Sequence, residues 1–198
     1  MFYLVTATNS CVNCERTWEE KVRGAFVGGI WFGQIQPRNN AFERSYGIMV
    51  ITTHGNVALW KRVKIGFLAS RRVPPEAVMR CLDWATRMRD EGVCVMSGFQ
   101  SPLEKEVLNI LLKGTSPLIL VLARRMWDER HIPALFRKPL AEGRLLVISP
   151  VSQSIRRVDA RSAAQRNRYI LDYADSLFLG ALDPDGSLTD LLPLPSHL

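Results

Sequence analysis

The chain has 198 residues, of which 47% are hydrophobic and 23% are charged, a composition typical of a globular protein and not of a disordered one. No apolar run approaches the roughly 20 residues that a transmembrane helix needs, and the first residues lack the basic and long apolar segments of a secretory signal. Four cysteines do not suggest a disulfide framework in a chain of this size, so we expect a reduced, cytoplasmic protein.

The net charge of +7 is concentrated in the middle of the chain. Between Lys61 and Tyr169 there are 21 Lys and Arg against 10 Asp and Glu, a local net charge of +11. After Arg168 the chain contains no Lys or Arg. A cationic body favours polyanions, because their phosphates release condensed counterions on binding. The plainer alternative is a solvated basic surface without a partner.

From residue 64 onward, short apolar runs alternate with amphipathic stretches, which predicts strands alternating with helices. The predicted strands are 64–69, 93–96, 117–122, 145–148 and 176–179. Prolines at the start and glycines at the end mark several of the helices between them, which are predicted at 75–91, 102–113, 133–142 and 160–173. Because the strands are apolar throughout, the sequence predicts an α/β fold: a Rossmann-like, doubly wound, mainly parallel sheet of five or six strands with helices on both faces.

Three segments follow from this pattern. The Rossmann-like domain is predicted at 53–182, after an N-terminal extension, 1–52, whose structure the sequence does not define, and before a C-terminal tail, 183–198, expected to be loosely ordered. Within the extension, the Gly-rich apolar stretch 24–33 is either core or an interface, and 46–52 is a further candidate strand.

In an open parallel sheet, ligands bind beyond the carboxyl ends of the strands. Two predicted loops there combine hydroxyl groups, backbone N–H groups and a helix N-terminus, which suits a phosphate. Their candidate binding residues are Ser70, Arg71, Arg72, Ser97, Gly98, Phe99, Gln100 and Ser101. Gly98 permits close backbone approach, Ser101 caps the following helix, and Phe99 either stacks on a base or packs in the core. Ordinary polar turns are the alternative.

Further arginines follow the later strands. Candidate phosphate ligands among them are Arg124 after the third strand and the Arg166, Asn167 and Arg168 turn of the last helix. Solvated pairs and surface salt bridges are the alternative interpretation.

Metal binding and catalysis have little support in the sequence. Cys11 and Cys14 have zinc-like spacing, but no second pair follows, so we expect no metal and no cofactor. Glu104, Lys105 and Glu106 are the nearest candidates for an acid or base, although a solvated first turn of a helix explains them equally. No hydrolase, P-loop or dinucleotide motif is present, so we assign no catalytic residue and favour a non-enzymatic role.

Several segments, in their order along the chain, resemble the DNA-processing protein A (Smf/DprA) family. A Gly-Asn segment precedes a strand ending in Ser-Arg, and a later strand ends in Ser-Gly; here these are 55–60, 64–71 and 93–98. An Arg-Asn-Arg helix, a final strand and a Gly-Ser segment follow, at 165–170, 174–179 and 185–189. The loop after Ser-Gly departs from the family's Ala-Arg-Gly-Ile-Asp pattern, which indicates a divergent member. The sequence shows no match to the family's frequent C-terminal winged-helix domain, so we expect a stand-alone member.

The resemblance implies a Rossmann-like domain that binds single-stranded DNA in a basic pocket, with a role in DNA uptake, transformation or recombination. A recombinase is the partner that it implies, and a homodimer is its implied assembly. The lack of a long apolar run separately leads us to expect no membrane partner. By position, Ser70, Arg71, Ser97, Gly98, Arg166, Asn167 and Arg168 would line the pocket.

Two other hypotheses stay open. One is a nucleotide-binding sensor or a phosphoribohydrolase-like enzyme of the same superfamily, in which Glu104 would be the acid or base. The chain lacks the Pro-Gly-Gly-x-Gly-Thr loop of those hydrolases. The other is an oligomeric scaffold whose pocket no longer binds a ligand.

Overall fold

The structure is a computed structural model that describes residues 22–27, 30–35, 51–183 and 185–192. Its central feature is a sheet that contains five parallel strands. The strands of the whole sheet are β1 (Val22–Val27), β2 (Ile30–Ile35), β3 (Thr52–Gly55), β4 (Lys64–Ala69), β5 (Cys94–Ser97), β6 (Leu118–Val121), β7 (Leu145–Ser149) and β8 (Ser176–Leu182). Their order is β1-β2-β8-β4-β5-β6-β7-β3. The five from β8 to β7 are parallel, whereas β3 pairs with β7 and β2 pairs with β8 in the antiparallel sense.

Four helices connect the parallel strands and cover both faces of the sheet. They are α1 (Pro75–Asp90), α2 (Pro102–Leu112), α3 (Ala134–Ala141) and α4 (Ala160–Tyr173). Successive side chains of a strand point to opposite faces. Thus Phe67 packs in the core cluster of α1, α2 and α3, while its neighbour Leu68 packs in the cluster of α4. The predicted α/β, doubly wound fold is therefore confirmed.

Local signals explain where the helices begin. Pro75 and Pro102 occupy the first helical positions, where the missing N–H costs no hydrogen bond. Ser101 and Asp159 are N-caps whose side chains accept hydrogen bonds from the backbone of Glu104 and Ser162. These caps set the first turns of α2 and α4, the two helices that build the candidate site below.

The segments on either side of the predicted domain are also joined to the sheet. The apolar stretch within 22–35 forms the antiparallel pair β1 and β2, which extends the sheet beyond β8. At the other end, the described part of the tail ends in a short 3-10 turn, Thr189–Leu191, with Leu188 and Leu192 buried in the core. It is packed, and not loosely ordered as expected, because these leucines cover the face that carries α4. Of the candidate strand 46–52, residues 46–50 lie outside the described residues.

Among the described helices, none combines the length and the apolar character needed to cross a bilayer.

Candidate anion-binding site at the carboxyl ends of the strands

A buried carboxylate joins the ends of β4 and β5. Glu104 is 3% exposed, and its Oε2 atom accepts hydrogen bonds from the backbone N–H groups of Gln100 (2.7 Å) and Ser101 (3.1 Å). Its Oε1 atom accepts one from Ala69, at 3.3 Å. Because these donors belong to the loop after β5 and to the last residue of β4, Glu104 holds the two strand ends together.

The loop after β5 has an uncommon backbone conformation. Phe99 has a φ of +48°, the left-handed region in which residues other than glycine are rare. Its N–H donates to the hydroxyl of Ser97 at 3.2 Å, and its ring is 4% exposed in the core. Of the two roles considered for Phe99, the structure shows packing; stacking on a base would require the ring to leave the core.

Position 98 is glycine where the Arg166 side chain passes. A Cβ atom at Gly98 would overlap the guanidinium group, with Nη1, Cζ and Nε as its nearest neighbours. The missing side chain lets the guanidinium lie directly against the backbone at the end of β5. Gly98 and Arg166 therefore form one structural unit, although they come from different elements.

Arg166 is a buried cation whose hydrogen-bonding groups are not used by the described protein. The residue is 5% exposed, and its enclosed Nε and Nη1 atoms have no acceptor among the described residues. Burial lowers the pKa of Arg166, while the negative charge of Glu104 raises it. Arginine nevertheless stays protonated in proteins. A buried charge whose donors lack hydrogen-bond acceptors is costly, so this arrangement is typical of a group that binds an anion.

Helix α4 sends the three polar side chains of its Arg-Asn-Arg turn in different directions. Arg166 faces the sheet, whereas Arg168 forms an ion pair with Asp172 at 3.2 Å, one turn further along the helix. The Oδ1 atom of Asn167 is enclosed and has no hydrogen-bond donor among the described residues. Successive helical residues are about 100° apart, so only one of the three can point at Gly98.

The loop after β4 contacts the C-terminal segment. The hydroxyl of Ser70 accepts a hydrogen bond from the N–H of Asp183 at 3.0 Å. Arg72, whose side chain is 85% exposed, lies 3.9 Å from an Asp183 carboxylate oxygen. Ser70 is therefore already engaged by the protein, while Arg71 and Arg72 remain at the exposed rim.

Other predicted residues lie at the same end of the sheet with different exposure. Gln100 is exposed beside Glu104, and Ser101 is buried as the N-cap of α2. Arg124 is half-buried at the end of β6, where its carbonyl oxygen accepts a hydrogen bond from the Ser149 hydroxyl at 2.8 Å. The structure thus brings together the ends of β4 and β5 and the Arg166 side chain from the middle of α4, while Arg124 lies in the loop after β6.

Two contributors to this rim were missed by the sequence interpretation. Glu104 was considered as an acid, a base or a solvated residue, yet it is buried and bonded to backbone. The Ser-x-x-Glu spacing of Ser101 and Glu104 is the signature of a capping box and could have indicated it. Asp183 was assigned to the tail, and no local pattern connects it to Ser70.

The described residues contain no group of His, Cys, Asp or Glu side chains that could hold a metal ion. Cys11 and Cys14 lie outside the described residues.

A cavity elsewhere in the described part of the molecule has a different character. It has a volume of about 430 Å³ and lies over the α4 face near β3, lined by Ile51, Thr53, Val57, Trp60, Leu146, Ile148, Tyr169 and Tyr173. Its lining contains no charged side chain, so it does not offer what a phosphate requires.

The fold and this site define a Rossmann-like α/β protein with a candidate anion site built around a buried arginine. Its fold is similar to that of DNA processing protein A from Helicobacter pylori, which has been described for its single-stranded DNA binding mode; the TM-score is 0.48 at 15% identity, over 63% of this chain and 57% of that one. It is also similar to DNA processing protein A (DprA) from Streptococcus pneumoniae, with a TM-score of 0.49 at 16% identity, over 63% of this chain and 43% of that one.

The chain spans about half the length of the solved structures it matches. No protein-family model matches the chain, and no curated protein sequence matches it.

Proposed function

We propose that this protein binds single-stranded DNA at the carboxyl ends of its parallel strands, with Arg166 binding one backbone phosphate. The observation that carries the proposal is the buried guanidinium of Arg166, whose Nε and Nη1 atoms have no acceptor among the described residues. Guanidinium groups form strong, charge-assisted hydrogen bonds with phosphate oxygens. Because Gly98 has no side chain, the guanidinium group of Arg166 can lie against the backbone at the end of β5.

The charge of the surrounding rim supports a polyanion over an isolated anion. Loops that follow β4, β6 and β7, and the first turn of α4, carry arginines that are exposed or half-buried: Arg71, Arg72, Arg124, Arg125, Arg156, Arg157 and Arg161. Consecutive phosphates of one strand would contact several of them, and each contact adds to the affinity and to its dependence on salt.

The ligand class is the one that the Helicobacter pylori protein is described as binding; here the proposal depends on the residues of this chain.

The same proposal extends to a role in DNA uptake or recombination, a recombinase partner, a homodimer and a location in the cytoplasm. The role of Glu104 as an acid or base is disfavoured, because its side chain is enclosed and both its oxygen atoms accept hydrogen bonds from backbone N–H groups.

Fluorescence anisotropy with a labelled oligothymidylate, measured over a series of KCl concentrations, tests the proposal. Wild-type protein should bind with a steep negative salt slope, and Arg166→Met should weaken binding and reduce the slope by about one unit. The matched control is Arg87→Met, which removes an exposed arginine near the far end of α1. No binding at low salt, or equal loss in the two variants, would exclude this site.

The enclosure of Arg166 also suits the single phosphate of a mononucleotide. Thermal unfolding of the same protein, with and without nucleotides, tests this second candidate ligand. A rise of the melting temperature with a mononucleotide, and none with the oligonucleotide, would replace DNA by a small nucleotide as the ligand.

A further inference from the structure

The carboxylate of Glu104 is used entirely by backbone. It accepts from Ala69 at the end of β4 and from Gln100 and Ser101 after β5, at 2.7–3.3 Å. Hydrogen bonds to an ionised acceptor are about twice as strong as neutral ones, and burial strengthens them further. One side chain therefore fixes the relative position of two neighbouring strand ends.

Glu104 does not neutralise Arg166 by contact. Both residues are buried, and their charges interact. No ion pair joins the two described side chains, and no described acceptor reaches Nε or Nη1 of the arginine. The carboxylate is turned toward the backbone amides, so it does not use the hydrogen-bonding capacity of the guanidinium group.

The loop that Glu104 binds is one that needs support. Phe99, at a φ of +48°, immediately precedes the two amides that the carboxylate accepts from. A non-glycine residue keeps such a conformation only where its surroundings enforce it. Gly98, on the other side of Phe99, is the residue that makes room for Arg166.

We infer that Glu104 is the positioning residue of the anion site: by holding the ends of β4 and β5 together it keeps Gly98 against the Arg166 guanidinium. This inference rests on the proposed function. It assigns to Glu104 no contact with the ligand and no proton transfer.

The inference predicts an effect of the opposite sign to simple electrostatics. Removing a negative charge near a buried cation should tighten anion binding if charge alone matters. If Glu104 positions the loop, Glu104→Gln should weaken binding instead, because an amide cannot accept all three hydrogen bonds and brings donors of its own. We expect the affinity for labelled oligothymidylate to fall at least about tenfold, the loss expected for one charged hydrogen bond.

Three further variants separate position from charge and stability. Glu104→Asp keeps the charge but shortens the reach to Ala69, so its affinity should lie between wild type and Glu104→Gln. Glu106→Gln makes the same charge change at an exposed position of α2 and should bind like wild type. Leu108→Ala lowers stability from the buried face of the same helix without touching the carboxylate, which controls for general destabilisation.

Amide hydrogen exchange supplies a readout that does not depend on the ligand. In Glu104→Gln the amides of Gln100 and Ser101 should exchange at least about tenfold faster, while those in the interior of α2 keep their rates; Leu108→Ala should accelerate the helix instead.

The outcomes distinguish the two proposals. Wild-type protein that binds no oligothymidylate overturns the proposed function and this inference together. If Glu104→Gln binds the oligothymidylate as tightly as wild type or more tightly, the inference is overturned and the proposed function stands. If Glu104→Gln does not fold, Glu104→Asp decides, since wild-type affinity in that variant overturns the positioning role.

Discussion

The guanidinium group of Arg166 lies where a side chain at position 98 would have to be, because position 98 is glycine. Most buried charges in proteins have partners, yet two nitrogen atoms of this arginine have none among the described residues. The contact between Gly98 and Arg166 therefore requires a residue without a side chain at position 98. It also costs free energy, because it leaves guanidinium donors buried without acceptors among the described residues.

Replacing Arg166 by methionine should separate stability from binding. Methionine keeps the aliphatic part of the side chain and carries no charge, so the cost of burying a guanidinium group whose Nε and Nη1 atoms have no hydrogen-bond acceptor among the described residues disappears. We expect the free energy of unfolding to stay equal or rise by about 1–4 kcal/mol, as found when buried charges are replaced by apolar residues, while DNA binding falls. Urea unfolding measures the first effect and anisotropy the second. A loss of more than about 2 kcal/mol would show that the guanidinium stabilises the fold.

A methyl group at position 98 should displace the arginine. In Gly98→Ala the new Cβ overlaps the end of a flexible side chain, so the chain folds and the guanidinium moves away. We expect binding to fall at least about tenfold, in line with the loss of one charge-assisted hydrogen bond.

Gly92→Ala is the matched control for that variant. Gly92 has a φ of +66° with no atom within 4 Å of its Cβ position, so alanine should cost about 1–2 kcal/mol of backbone strain without changing binding. Wild-type binding by Gly98→Ala, measured by the same anisotropy titration, would contradict the proposed contact.

The N-cap of α4 should make stability depend on pH in the acid range. A hydrogen bond from the Ser162 backbone to Asp159, at 2.7 Å, lowers the pKa of that carboxyl group. A lowered folded-state pKa stabilises the protein above the ordinary aspartate pKa, and the contribution is lost as pH falls through the lowered value. Asp159→Asn keeps a capping oxygen but does not titrate. The free-energy difference between the two proteins, followed by urea unfolding from about pH 5 to pH 2, should change over that range. Parallel curves would refute this.

The thiol of Cys81 should be inert in the folded protein. Burial raises the pKa of Cys81 to about 12, and its sulfur lies against β8, 2.7 Å from where a Cβ of Gly180 would be. Thiolate is the reactive form, so alkylation near neutral pH should label Cys81 only after unfolding in urea. Residue-resolved mass spectrometry measures this, with the urea-unfolded chain as the reference. Rapid labelling in the native state would mean that α1 opens readily.

The sequence by itself determined the strands and helices of the central domain. Predicted and observed bounds agree exactly for β4 and α4, and within a few residues elsewhere. These elements depend on signals within a few residues of one another: apolar runs, prolines at helix starts and glycines after helix ends. Gly98 became a candidate because it follows a predicted strand, and Arg166 because it belongs to an Arg-Asn-Arg turn of a predicted helix.

Only the tertiary structure decided what those candidates do. Arg166 and Arg168 are two residues apart in one helix, yet one faces Gly98 and the other pairs with Asp172. Glu104 reaches Ala69, 35 residues away, and Ser70 is bound by Asp183, 113 residues away. Whether a charged side chain is buried, and which partner it has, depends on which distant elements pack against it. Local sequence does not contain that information, and hydrophobic packing of the sheet and helices fixes it.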